Sequence, residues 1–523
     1  MRTTTAALVL GATIALAGTG PALAGTSRDP VAVTGSRTFA VVATTSGDPF
    51  ASPPGPASSP AEALQTGCRP AAASSGPPGS PGPTGPSGPP GPPAGSGEGI
   101  LSVTMSAPGT GWADPLDTSV DVELRVDGGP AQQVVLFGGA APFRYEGFVG
   151  GLVTGTHCVT VTVRPDLSHV TTAAAGVEVY AVDLGVVAAG SGDYLLESHA
   201  PVLYGRSTSA VGDTPLLTYG EQAPDADGVD TDLSYTVVWT HEDVGDGVVP
   251  AYEWGLWGRM TDIETVLHEK VSPAGRILSA SYLSCGCEGA PVYPDAVPED
   301  PVAGGETYKP YPATGGSPGL ADHLGIRDAT GNNDISPTGT TSFRFQQALV
   351  QGPAPGQARE VAMDSNPWTY RISDEELSRE AQPRSTDPAT FLAGEYPQYL
   401  VVDIDSRPQG TGSVGVAVQL GGGAWFSNDY QQATPAGVGT TFPFYNGGHE
   451  RTVIKLPPGW HSLPITALEL RLYAASPGTT PSLAGAPVIQ LIEVTPSWSV
   501  VDRPVPPPQV VTSTQVVPPQ LGH

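Results

Sequence analysis

The chain has 523 residues, room for several domains with cores of their own, and 51 acidic against 23 basic residues give it a formal net charge of -28 at pH 7. That charge repels phosphate backbones and anionic headgroups, so nucleic acid is excluded as an expected partner. Its 67 glycines and 57 prolines cluster in stretches, which marks linkers between folded units rather than general disorder.

At the start, Arg2, an apolar run from Ala6 to Ala17 and the small-residue signal Ala22-Leu23-Ala24 read as an export signal over residues 1–24. The run is too short to span a bilayer and no later segment approaches about eighteen consecutive apolar residues. The expectation is therefore a secreted, extracellular protein without membrane insertion. Four cysteines (Cys68, Cys158, Cys285 and Cys287) suit an oxidising compartment and allow three pairings. Cys285 and Cys287, in Ser-Cys-Gly-Cys-Glu, are expected to have a structural disulfide role.

Residues 25–99 read as a Pro/Gly-rich disordered linker. Within it, residues 76–93 run GPP-GSP-GPT-GPS-GPP-GPP, with glycine at every third position. This resembles a collagen-type repeat, in which only glycine fits at the axis of three packed polyproline helices. The expectation is a stiff stalk on a monomer, with a trimer through these triplets as the alternative.

Residues 100–182 change to short alternating runs (SVDVELRV, QQVVLF, FRYEGF, HCVTVTV) separated by Gly-rich turns, the pattern of a small β-sandwich. The closing GLVTGTHCVTVTVRPD resembles bacterial immunoglobulin-like modules, which implies a spacer or adhesive unit. Residues 183–384 form a central β-rich unit. In it, Tyr235, Val237 and Trp239 share one strand face, residues 251–259 read as the returning strand, and SDEELSREA at 373–381 reads as a helix opened by a capping box. Residues 390–497 supply strands YLVVDID, SVGVAVQL, RTVIKLP, ITALELRLY and PVIQLIEV. Their order around RTVIKLPPGWHSLPITALELRLYA resembles the jelly-roll modules that accompany carbohydrate-active enzymes. Residues 501–523 read as a Pro-rich tail. The expected fold class is all-β and multidomain, with β-sandwiches joined by Pro/Gly-rich linkers.

The candidate chemistry lies in the central unit. Asp262 and Glu264, two apart on an expected strand with Arg259 nearby, present paired carboxylates of the kind that serve as acid and base in glycoside hydrolysis. His241, Glu242 and Asp243 at the end of the preceding strand would join them across the hairpin. Four carboxylates and one imidazole gathered this way call for a divalent cation as compensation. Asn332, Asn333, Asp334 and His323 form a further polar group, and His199, Tyr204 and Arg206 precede Asp213. Asp225, Asp227, Asp230 and Asp232 surround Gly228 in an acidic turn that suits Ca2+ without the EF-hand spacing. Trp239, Trp257, Trp425, Tyr430 and Trp460 are the candidate stacking surfaces for sugar rings. No serine-hydrolase elbow, phosphate loop or zinc-protease motif is present in the sequence. The reading is a protein that binds or acts on an extracellular polysaccharide or cell-surface glycan; the alternative is a non-catalytic adhesin or structural protein.

Overall fold

A computed structural model describes residues 30–46, 96–171, 176–241, 254–255, 257–284, 307–314, 316–331, 333–354, 357–380, 395–428 and 448–516. The fold is all-β. Three short α-helices, Tyr194–Glu197, Val361–Ser365 and Trp368–Glu380, lie wholly within the described residues.

The first sheet runs Gln132–Leu136, Val120–Val126, Gly155–Val163, Ser36–Ser46, Val177–Ala188, Ser96–Ser106, Phe143–Val153, with Val31–Val33 also paired to Val177–Ala188. Residues 31–46 are therefore strand and not linker. Phe39, Val41 and Ala43 point inward at strand spacing and are buried. The wider Gly, Ser and Pro composition hides this period-two run. Ser36–Ser46 is antiparallel to Gly155–Val163 and, at its end, parallel to Val177–Ala188. Ser46 lies opposite Val187, and Gly97 lies opposite Ala188 from the other side. The chain thus leaves the sheet at residue 46 and returns at 96 on either side of one strand. The triplets at 76–93 lie outside the described residues.

The central sheet has eleven strands in the order Arg344–Phe345, Val202–Tyr204, His323–Asp328, Ile335–Ser336, Ile277–Ser284, Ile263–Val271, Thr231–Trp239, Pro215–Pro224, Leu349–Val350, with Thr307–Pro310 and Ser317–Leu320 paired alongside. The strand that returns against Thr231–Trp239 is Ile263–Val271, later than the expected 251–259. Its β-branched and aliphatic residues alternate with polar ones, which residues 251–259 do not do. The helix is longer than expected, and Ser373 sits inside it: its Oγ accepts a hydrogen bond from the Met260 N–H at 2.6 Å, so no capping box forms.

The last unit is a sandwich of two four-stranded sheets, Gly448–Lys455, Tyr399–Ser406, Val488–Val494, Val500–Arg503 and Trp425–Ser427, Thr411–Leu420, Ile465–Ala474, Pro508–Val516. Within residues 501–523, expected as a Pro-rich tail, 501–503 and 508–516 belong to the edge strands Val500–Arg503 and Pro508–Val516 of the two sheets. Proline is tolerated because Pro508 opens its strand, where no ladder N–H is missed. The units are not separate beads. Along Tyr399–Ser406, Leu400, Val402 and Ile404 fill the sandwich interior, while Tyr399 and Val401 join the core of the central unit. Trp112, Phe137 and Phe148 of the first unit join that same central core.

Candidate functional site

Six strands bring polar side chains to one end of the central sheet. Strands Val202–Tyr204, Thr231–Trp239 and His323–Asp328 run toward it, and Pro215–Pro224, Ile263–Val271 and Ile335–Ser336 start from it. Arg206, Asp213, His241, Asp262, Asp328 and Asn333 all sit there within a few residues of a strand end. All but His241 are buried, Asp328 and Asn333 completely.

The contacts form a chain. Arg206 donates to Asp213 Oδ2 at 2.7 Å, and Thr208 Oγ1 donates to the same oxygen at 3.0 Å. Asp213 Oδ1 lies 4.0 Å from His241 Nδ1. Asn333 Nδ2 donates to the His241 carbonyl at 3.1 Å and to Asp262 Oδ2 at 2.9 Å. Asp262 Oδ1 accepts the Ile263 N–H at 2.7 Å. Asn333 holds a φ of 52°, a left-handed conformation that asparagine tolerates better than most residues. Asp328 accepts no hydrogen bond within the protein on either oxygen, and Asp213 Oδ1 and Asn333 Oδ1 likewise have none. Burial pushes the Asp328 carboxyl well above its usual range, and the nearby charge of Asp213 pushes it further. Asp262 is also raised by burial, against the pull of Arg259 and the hydrogen bond from Asn333.

The expected constellation divides. Asp262 and His241 are at the sheet end, with Asn333 completing their network. Glu264 turns to another partner, with its Oε1 3.3 Å from Arg359 Nη1. Arg259 is buried 3.3 Å from Glu360 and donates to the Thr261 carbonyl. Asp262 lies before the strand begins and Glu264 within it, and each has a partner of its own. Glu242 and Asp243 lie outside the described residues, as do Asn332, Tyr430, Cys285 and Cys287. Trp239 and Trp460 are fully enclosed, and Trp460 donates its indole N–H to the Pro397 carbonyl at 3.1 Å. Neither has a face for a sugar. Trp257 and Trp425 are half-buried, and Arg259 lies 5.2 Å over the Trp257 ring.

The sequence reading passes over Asp328, because a lone acid after GIR has no distinguishing pattern. The register that sets it opposite Ile335, beside Asn333, is a long-range property of the sheet.

Asp225, Asp227 and Asp230 do converge, with ligand oxygens all within 4.8 Å of one another, a spacing that could hold a metal. Lys270 Nζ lies among them, 3.0 Å from Asp227 and 3.4 Å from Asp230, and it also bonds Asp225. Its ammonium and the local backbone N–H groups hold Asp225 and Asp227 below the usual carboxylate range. Asp232 is raised by burial and by the neighbouring Asp225.

At the opposite end of the sheet, His199 Nδ1 meets Glu269 at 2.9 Å and its Nε2 meets the Gly275 carbonyl at 3.0 Å. Both side chains are buried. Between the first unit and the central sheet is a cleft of ≈ 150 Å³, lined by Phe143, Tyr145 and Trp368 together with Arg144, Gln347 and Asn366. Phe143 stands edge-on to Trp368 at 4.6 Å and to Tyr145 at 4.8 Å.

No family model matches the chain, and no curated protein matches it. Cys158 is disulfide-bonded. No helix among the described residues is long and apolar enough to cross a membrane.

Proposed function

We propose that this is an exported glycan-binding protein that works without catalysis, and that its sugar sits in the cleft between the first unit and the central sheet. The observation that carries the reading is the lining of that cleft. Aromatic rings offer apolar faces to the C–H side of a pyranose, while Arg144, Gln347 and Asn366 lie within reach of its hydroxyls. The cleft is small, so it reads one residue or the end of a longer chain.

Binding is favoured over hydrolysis because Glu146, the carboxylate in the cleft lining, is paired with Arg144 at 2.6 Å, and the described acids of the expected catalytic group lie elsewhere. Asp262 and Asp328 are buried at the sheet end, and Glu264 is engaged by Arg359. A general acid must lie within hydrogen-bond reach of the glycosidic oxygen. Export is supported by the disulfide at Cys158, which belongs to an oxidising compartment, and by the signal-like residues 1–24.

The test is a panel of extracellular polysaccharides and oligosaccharides, with binding followed by calorimetry and reducing ends measured in parallel. Binding that is lost in Trp368→Ala and kept in Asp262→Asn, with no release of reducing ends, is the expected result. Retention of full affinity by Trp368→Ala, or hydrolysis abolished by Asp262→Asn, would sink the proposal.

A further inference from the structure

We infer that the end of the central sheet holds a divalent cation of the calcium type, with Asp213, Asp328 and Asn333 as its protein ligands. The inference is independent of the glycan-binding reading and concerns a different part of the molecule.

The argument begins with what each oxygen does. Asp213 commits Oδ2 to Arg206 and Thr208 and keeps Oδ1 without a hydrogen bond. Asn333 commits Nδ2 to Asp262 and the His241 carbonyl, which turns Oδ1 away from both. Asp328, completely buried, keeps both oxygens without a partner in the protein. A buried carboxylate left so is costly, and native proteins give such groups a partner. Here four such oxygens from three residues occur together at one sheet end. In two of the three residues, one polar atom is fastened by the protein and the other is left to a ligand. That is how second-shell contacts orient the ligands of a metal.

The chemistry of the donors names the ion. All are hard oxygens, two carboxylates and one amide, a set that suits Ca2+ or Mg2+ rather than zinc or copper. Mixed amide and carboxylate donors, Asp213 ahead of Pro215–Pro224, Asp328 at the end of His323–Asp328 and Asn333 on its connection to Ile335–Ser336, match the irregular, flexible shell of Ca2+ better than the strict octahedron of Mg2+. The charge fits as well. Asp213, Asp262 and Asp328 crowd one buried region, while Arg206 is spent on Asp213, Arg259 faces Glu360, and Arg327, the other nearby cation, donates to the Thr338 carbonyl at 3.2 Å. The exposed acidic turn is a different case, because Lys270 already lies among its three carboxylates.

The experiment is thermal melting of the full chain in EDTA and in millimolar CaCl2. The wild type is expected to gain roughly 3 °C or more in CaCl2. Asp328→Asn should lose that gain and Asp227→Asn, in the acidic turn, should keep it. If Asp328→Asn does not fold, Asn333→Gly takes its place, since glycine keeps the positive φ and removes the amide oxygen. A second readout is Tb3+ emission excited through tryptophan, because the main-chain N–H of Trp239 donates to the Asp262 carbonyl at 2.9 Å and so places that residue at the same sheet end. Emission displaced by CaCl2 and weakened at least tenfold in Asn333→Gly is the expected outcome. An unchanged wild-type midpoint in CaCl2 would mean that water alone meets these oxygens and would overturn the inference. So would a gain that survives Asp328→Asn or Asn333→Gly but disappears in Asp227→Asn.

Discussion

Stability should fall as pH rises from 5 to 7, because two carboxylic acids are buried where their charged forms are poorly solvated. Burial raises Asp121 from 3.8 to about 8, with Arg164 opposing, and raises Glu197 from 4.5 to about 8, opposed by the Leu349 N–H. Both Asp121 oxygens lack a hydrogen bond within the protein. Between pH 5 and 7 the unfolded chain has released both of these protons and the folded chain still holds them, so these two groups take up two protons on folding; Asp328 and Asp262, also raised by burial, act in the same direction. Each costs about 1.4 kcal/mol per pH unit, so two protons over two units amount to about 5 kcal/mol. Relaxation around a newly ionised group brings the expected loss to roughly 2–5 kcal/mol. His199, raised by Glu269 against its own burial, adds stability that is lost as pH rises, in the same direction. His268, lowered by burial, acts in the opposite sense, since its contribution is lost as pH falls through its unfolded value. Urea midpoints at pH 5, 6 and 7 measure the slope. In the double variant Asp121→Asn, Glu197→Gln the slope should become clearly shallower, and the slope is the readout because the new amide N–H groups shift the absolute midpoint. A wild type equally stable at pH 5 and 7, or a slope untouched by the double variant, refutes the reasoning.

Three other outcomes are expected. Arg451, buried at the seam of the central unit and the last sandwich, bonds Asp403 at 2.6 and 2.7 Å and Asp364 at 2.9 and 3.1 Å; Arg451→Met should cost about 3–5 kcal/mol by urea titration, with partial recovery on adding Asp403→Asn. Gly258 sits at the same seam with a φ of 64°, and a Cβ there would lie 3.0 Å from Val453 Cγ1, so Gly258→Ala should lower stability by about 1–3 kcal/mol in the same assay. Removing residues 76–93 should leave the unfolding free energy within about 1 kcal/mol of the wild type, because the flanking strands lie either side of one strand and loop closure depends weakly on length. Sedimentation of the same pair reports whether the triplets associate chains.

The strands of the first and last units are legible because their alternation is local. Val120–Val126 and Ile465–Ala474 announce themselves within a window of ten residues. Ser36–Ser46 does not, since its partners lie more than a hundred residues away and its neighbours in sequence are Gly and Pro. The acidic site was legible in part. His241 and Asp262 stand at the ends of strongly patterned strands, whereas Asp328 becomes special only when parallel pairing sets Arg327 beside Tyr204 and antiparallel pairing sets Asp328 beside Ile335. The aromatic residues misled for a physical reason. Tryptophan buries more apolar surface than any other side chain, so in a small β core its commonest role is filling, as at Trp239 and Trp460.

The run Tyr-Leu-Val-Val at 399–402 carries the argument about architecture. Strict alternation belongs to a sheet with one wet face, and a continuous apolar run belongs to one covered on both sides. Leu400 and Val402 face the sandwich interior, and Tyr399 and Val401 face the central unit, where Val453, Ile492 and Val494 from the neighbouring strands join them. Water would meet five apolar side chains if the sandwich were alone, and each fully buried side chain of this kind is worth about 1.5–3 kcal/mol. The same seam buries Arg451 with two carboxylates, a cluster that stays satisfied only while both units supply their halves. The central unit and the last sandwich are thus one cooperative body in which neither sheet face can be spared. The acidic sheet end and the aromatic cleft are both held by that body, which is why each can be addressed by single substitutions in the full chain rather than by excising the domain that carries it.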